Sequence, residues 1–282
     1  MAYTALDIIQ HPENYLPNIQ VDNVILGYHD KELKVLLQQT IATNKWSITG
    51  GYVGRAESID EAANRIARSR TGLENLFLQQ FRSFGGVSRS DDPEKNAATM
   101  SALTGVEVKK DLWIFDRFVS LAYYTLTDFS TVKIKKWPLG ADSKWWPVNE
   151  LPPLMFDHKQ IITEALRALR MHIAFFPIGY ELLPEKFTLP EIHALYETIL
   201  GKKLDERNFQ RKLLASGIVE KLKETKRIGP HRAPFLYKFN SLQRLVIWRV
   251  AGKSTSCPAI RRFGRVRDEL AGPGIWGRHS CH

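Results

Sequence analysis

The sequence predicts an α+β chain of two domains, a larger one of strands and amphipathic helices followed by a winged helix-turn-helix. Three observations carry this. Over residues 21–175, short runs rich in Val, Ile and Leu alternate with stretches of helical periodicity. After residue 188 the order changes to helix, helix, hairpin. The charge changes with it: residues 1–201 sum to −3, residues 202–240 to +7 and residues 241–282 to +6. A mildly acidic body joined to a basic module is the pattern of a ligand or enzyme domain fused to a polyanion binder. With 282 residues, 44% of them hydrophobic and 25% charged, the chain is long enough for two cores and is neither collagen-like, disordered nor coiled coil. No run approaches the roughly 20 apolar residues of a membrane helix. The first twenty residues have no basic start and carry Asp7 and Glu13, unlike a signal peptide, so a cytoplasmic location is expected. Cys257 and Cys281 both fall in the last 26 residues, which excludes a disulfide scaffold or a cysteine zinc site for the upstream core.

Residues 21–28, VDNVILGY, and 33–39, LKVLLQQ, flank the turn-like HDKE and read as a β-hairpin. The paired glycines of SITGGYVG suggest a tight turn. Ser58-Ile-Asp-Glu61 is a capping box, opening a helix over about 59–71 whose Ile59, Ala62, Ala63, Ile66 and Ala67 mark a buried face and which Gly72 ends. Residues 77–87 and 118–127 read as strands. Residues 88–113 between them are polar and irregular, and a long loop or small insertion is expected. From Asp157 to Phe175, apolar residues at 162, 166, 169 and 173 predict an amphipathic helix that closes the first domain. Phe176-Pro177-Ile178-Gly179 interrupts it, placing the boundary near residue 177.

In the second domain, Thr188-Leu-Pro-Glu191 is another capping box, followed by Ile192, Leu195, Tyr196 and Ile199 along one side and Gly201 at the end. Asp205 caps a helix over 206–216. Its Phe209 and Leu213 point inward, leaving Arg207, Asn208, Arg211 and Lys212 outside. Runs 218–224 and 233–239 then form a hairpin with the basic tip Lys226, Arg227, His231 and Arg232. A helix of this length fits the major groove, and Arg and Asn are side chains that read guanine and adenine edges. With Lys203, these nine residues are the expected DNA contacts; a packing or dimerisation module with a solvated basic face is the plainer alternative.

Residues 51–73, GYVGRAESIDEAANRIARSRTGL, hold Gly51, Glu57, Arg65, Gly72 and Leu73 at the spacing of the Nudix box, and the segment resembles that family. The resemblance implies a Nudix-type α/β/α sandwich with a mixed sheet over residues 1–176. It also places Ile66, Ser69 and Arg70 where the family keeps its metal-binding glutamates. A hard divalent cation needs clustered oxygen ligands, so neither catalysis nor a metal is expected, and no cofactor. Glu57, Asp60 and Glu61 remain, the last two in a first helical turn where acids favour the helix dipole in any case. Arg65 has a structural role open to it, pairing with Glu61 four residues earlier.

A decayed Nudix box ahead of a winged helix is similar to the Nudix-related transcriptional regulators. That resemblance extends to Trp46-Ser-Ile-Thr-Gly-Gly51, Phe118–Tyr124, Glu150-Leu-Pro, Phe156-Asp-His158 and Pro177–Pro190, with Lys203 and Arg207-Asn-Phe209 after it. It implies a homodimer that binds operator DNA under control of a small-molecule effector, most simply a repressor. One branch of the family senses ADP-ribose-type nucleotides and the other sugars such as arabinose; the decayed box and Glu57-Ser-Ile-Asp resemble the sugar branch more. Asp22, Trp46, Glu57, Arg65 and Arg89 are the expected effector contacts, each with a structural alternative. Two further functions stay open, a hydrolase with unusual ligands and an interaction module. The segment 241–282 has no clear periodicity and no counterpart in the family. It reads as a disordered tail or as sequence foreign to the original frame, and its charge is not counted toward DNA binding.

Overall fold

The computed structural model describes residues 5–39, 45–73, 76–87, 93–134, 142–173, 182–226 and 233–240. Residues 1–239 form one compact unit, which holds every element below. The expected linker at Phe176–Gly179 and the tail 241–282 lie outside the described residues.

The first domain is organised by one long strand, β1 (Tyr15–His29), which turns back through Asp30 and Lys31 into β2 (Glu32–Gln39). On that side β1 pairs antiparallel with β2 along its last four residues and with β4 (Thr49–Gly54) along its first half. On the other side it runs parallel to β6 (Val119–Asp128), from Ile19 opposite Val119 to Tyr28 opposite Asp128. The two-residue β3 (Trp46–Ser47), β5 (Gln79–Phe84) and β7 (Ser143–Pro147) complete a seven-stranded mixed sheet.

Alternation along the strands assigns the two faces. Val21, Val53 and Tyr123 meet Ala62, Ala63 and Ile66 of α2 (Ile59–Thr71), which has the predicted capping box and a left-handed Gly72. On the opposite face Val24, Leu26, Val35, Leu37 and Tyr124 meet Ile161, Ile162, Ala165 and Leu169 of α4 (His158–His172). The sandwich implied by the Nudix resemblance is therefore present, helix over sheet over helix.

Two local readings need correction. The glycines of SITGGYVG lie inside β4 rather than in a turn. A Cβ on Gly50 would come within 2.5 Å of Asp22 Oδ1, so this position is glycine because two strands and a buried carboxylate converge there. The segment 88–113 is not irregular throughout, since α3 spans Pro93–Thr104 and a single 3-10 turn follows at Trp113–Phe115. Ala97, Met100, Val108, Ile114 and Phe115 seat this insertion against Ile8 of the short helix α1 (Ala5–Gln10) and Tyr15. Small residues such as Ala97 anchor α3, and they leave no apolar stripe to read. Neither α1 nor β7 was expected.

The winged helix follows the predicted order: α5 (Leu189–Leu200), α6 (Glu206–Ala215), β8 (Val219–Thr225) and β9 (Phe235–Phe239). Phe187 forms a single antiparallel bridge to the hairpin, exchanging both backbone hydrogen bonds with Tyr237. Its own core joins Phe187, Ile192, Leu213, Val219 and Tyr237. Helix α5 has a second allegiance. Leu195 and Ile199, both fully buried, belong to the same cluster as Leu26, Leu37 and Leu169, so the first helix of this module completes the core of the seven-stranded sheet. Polar contacts seal the junction: Arg170 Nε donates to the Ile199 carbonyl at 3.0 Å, and Thr198 Oγ1 to the Lys31 carbonyl at 3.3 Å. No helix among the described residues is long and apolar enough to cross a membrane.

Candidate functional site

The box loop between β4 and α2 is closed on itself. Glu57 accepts the Gly54 amide at 2.8 Å and both Nε and Nη2 of Arg65, at 2.8 and 2.5 Å; the same Nη2 reaches the Tyr52 carbonyl at 2.9 Å. Arg65 thus pairs with Glu57, eight residues away, and not with Glu61. The Glu61 carboxylate is taken by the Ser58 amide and hydroxyl, both at 2.8 Å, which hold it below the ordinary carboxylate range. Asp60 accepts the Tyr123 hydroxyl at 2.5 Å. Each acid retained in the box is engaged in holding the loop to the helix and sheet. Ile66 fills the core beneath Gly51, Ser69 Oγ donates to the Ile66 carbonyl, and burial pulls the Arg70 guanidinium down to about 10.

Asp22 sits in β1 on the opposite face, 2% exposed. Its Oδ2 accepts Ser120 Oγ at 2.5 Å and Gln20 Nε2 at 3.3 Å. Burial first and the Asp22 charge second push the neighbouring Tyr52 hydroxyl up to about 12. The Tyr52 ring in turn packs edge-on to Trp113 and tilted against Phe118, both at 5.4 Å. A carboxylate beside a cluster of aromatic rings is the chemistry that suits a ligand with hydroxyls and a flat ring. Gln20, Ser120, Tyr52 and Trp113 were not expected there, although polar Gln20 and Asp22, two apart on one face of β1, were the available signal. Trp46 is half-buried and edge-on to Trp146 at 5.2 Å, along the rim of the α4-side core. Arg89 lies outside the described residues. The structure therefore joins Glu57 to Arg65 directly and sets Asp22 in a separate polar group.

In the winged helix, α6 starts at Asp205, whose side chain accepts the Asn208 amide at 2.7 Å. Arg207, Asn208, Arg211 and Lys212 are all exposed, whereas Leu213 is buried, so the predicted inner and outer faces are present. Arg211 Nη2 donates to Asn208 Oδ1 at 2.9 Å. Lys203 is ion-paired with Glu197 at 3.0 Å, and Lys226 with Glu191 at 2.6 Å. Arg227, His231 and Arg232 lie outside the described residues.

Residues 179–239 match the family described as the NrtR DNA-binding winged helix domain. A curated relative, the ADPR-responsive transcriptional repressor NtrR of Acinetobacter baylyi, is 26% identical over 230 residues, covering 79% of this chain and 82% of its own. A crystal structure of Shewanella oneidensis NrtR complexed with a 27-mer DNA is similar at 25% identity and a TM-score of 0.58, across 79% of this chain and 93% of that one. The architecture, a Nudix-like mixed-sheet domain followed by a winged helix, is the one this NrtR structure shares. A MutT/nudix family protein from Enterococcus faecalis has the same fold at 21% identity and a TM-score of 0.57, over 85% of this chain and 94% of its own. The expected leaning toward the sugar branch finds no support in these relatives, since the curated repressor is named for its response to ADPR.

The Lys226–Glu191 pair ties the wing to the capping box of α5, and it predicts a pH dependence. Burial by itself raises the Glu191 carboxyl, but Lys226 and the Thr188 amide and hydroxyl outweigh it and hold the group below 4.5. A carboxyl whose folded value is depressed stabilises the fold above its unfolded value, and that contribution is lost as pH falls through the folded one. Thermal melts of the wild type and Glu191→Gln should therefore differ at neutral pH and converge as pH drops below about 4.5. A gap that persists at acid pH would mean that the carboxylate is not the source.

Proposed function

We propose that the chain is a transcriptional repressor whose Nudix-like domain senses an ADP-ribose-type nucleotide and whose winged helix binds operator DNA. The observation that carries this reading is similarity to an ADPR-responsive repressor extending across both domains, through 79% of this chain. The engagement of Glu57, Asp60 and Glu61 within the fold supports binding without hydrolysis. The polar group at Asp22 and the aromatic rings from Tyr52 to Phe118 are the proposed effector surface. The domains divide near residue 177, with 1–176 sensing and 177–240 binding DNA, and a homodimer would match a palindromic operator. Effector binding weakens DNA affinity only by its preference for the non-binding arrangement; a tenfold to hundredfold release needs about 1.4–2.8 kcal/mol.

The test is an electrophoretic shift on the promoter DNA flanking the protein's own gene, with ADP-ribose, NAD, pentoses and hexoses each added in turn. Release by ADP-ribose and not by the sugars is expected. Release by a sugar alone would overturn the effector assignment, and no sequence-dependent shift would overturn the repressor reading.

A further inference from the structure

We propose that Asn208 positions Arg211 to read a guanine, and that the two residues form one recognition unit rather than separate guanine and adenine readers. The inference rests on the DNA-binding reading of the winged helix. Asn208 lies in the first turn of α6, the end of a recognition helix that reaches base edges, and Arg211 follows one turn later on the same exposed face. Arg has donors and no acceptor, so the group that Asn208 turns toward it must be Oδ1, and the 2.9 Å bond fixes the plane of the Asn amide. Recognition of adenine by Asn uses the carbonyl and the amine together, one accepting from N6 and the other donating to N7. With Oδ1 held by the guanidinium, Asn208 turns its amine outward.

Arg207 contributes from the other side. It stands four residues before Arg211 on the same exposed face, and two like charges at this spacing repel. Repulsion from Arg207 and the bond to Asn208 both favour one placement of the Arg211 side chain. What this placement offers DNA is a contiguous row of donors, two or more from the guanidinium and the Asn208 amine beside it. In the major groove guanine presents two neighbouring acceptors, O6 and N7, whereas adenine presents a donor next to its acceptor and opposes such a row. Backbone order supports the arrangement, because the Asn208 amide is itself capped by Asp205 and cannot drift from the first turn.

The experiment is selection from duplexes randomised over the binding site, performed with the full chain as wild type, R211A, R211K, N208A and N208D. The wild type should enrich a site with a fixed guanine. R211A should lose at least about tenfold discrimination at that base pair, and R211K should lose most of it because a point charge cannot bridge two acceptors. N208A should relax the same base pair by about threefold to tenfold and leave other positions unchanged. N208D, which keeps an acceptor for Arg211, should retain the guanine. Both side chains are exposed, so matching thermal midpoints will exclude misfolding. Loss of an adenine at a different base pair in N208A would overturn the proposal, as would R211A weakening every duplex alike, the mark of a phosphate contact. Failure of the wild type to enrich any sequence would instead overturn the DNA-binding reading beneath it.

Discussion

Replacing Leu195 by Ala is expected to lower the stability of the described fold by about 2–5 kcal/mol, and to do so in one transition that includes the sensor sheet. Leu195 belongs by sequence to the winged helix, yet it is fully buried in the cluster that holds Leu26, Leu37 and Leu169. A Leu side chain deleted there leaves a cavity that neither α4 nor β2 can close without moving, and α5 packs against both. Were the winged helix an independent unit, the same substitution would shift only a small transition and leave the sheet's melting untouched. Urea unfolding followed by tryptophan fluorescence in a Trp248→Phe, Trp276→Phe background separates the two outcomes, because every tryptophan then left precedes the winged helix in the sequence. Leu214, on the same module but 44% exposed, is the control, and its change to Ala should stay within about 0.5 kcal/mol. A shared core also has a functional consequence. The direction in which α6 points depends on packing inside the sheet domain, so under the proposed function a ligand that alters the sheet has a physical route to the exposed face of α6.

How far the sequence discloses this depends on whether the deciding interaction is local. Helix α2 is legible because Ser58, Glu61, the stripe from Ile59 to Ala67 and Gly72 lie within fifteen residues and agree. The inner and outer faces of α6 are legible for the same reason. The Gly50-Gly51 pair is misread as a turn because the reason for it is Asp22, nearly thirty residues away, approaching from the neighbouring strand. Arg65 illustrates the same limit: helical spacing points to Glu61, but Ser58 has already claimed that carboxylate, and the loop carries Glu57 back to take its place. Strand β7 is short, reads Ser-Lys-Trp-Trp-Pro, and exists because β2 offers it a free edge, which no pattern within five residues discloses. The residues around Asp22 come from β1, β4, β6 and the insertion, so their assembly is a property of the fold alone.

The charges of the winged helix lead to the second large effect. Summed along the chain, residues 202–240 carry +7, but geometry divides these cations into two groups. Lys203, Lys226 and Lys238 each hold an acid, Glu197, Glu191 and Glu220, and Lys221 lies 3.5 Å over the Phe235 ring. Among the described residues, Lys202, Arg207, Arg211, Lys212 and Lys223 reach no acidic partner, and Arg207, Arg211 and Lys212 are the three of them on α6. Binding to DNA is driven by release of the counterions that phosphates condense, and a cation already paired must give up its acid to take part. Substituting Arg207, Arg211 and Lys212 together by Ala should therefore reduce the slope of log affinity against log salt by about 2–3 and weaken binding by about 100-fold to 1,000-fold. Arg207 and Lys212 account for two units of that slope, and the third appears only if Arg211 touches a phosphate in addition to a base. Lys203→Ala with Lys226→Ala should leave the slope nearly unchanged, since exposed pairs are worth at most about 1 kcal/mol and their loss also frees two carboxylates near the DNA. A fall in slope as large as that of the first set would show that both pairs open on binding, and that the full positive charge of the segment is delivered to the duplex.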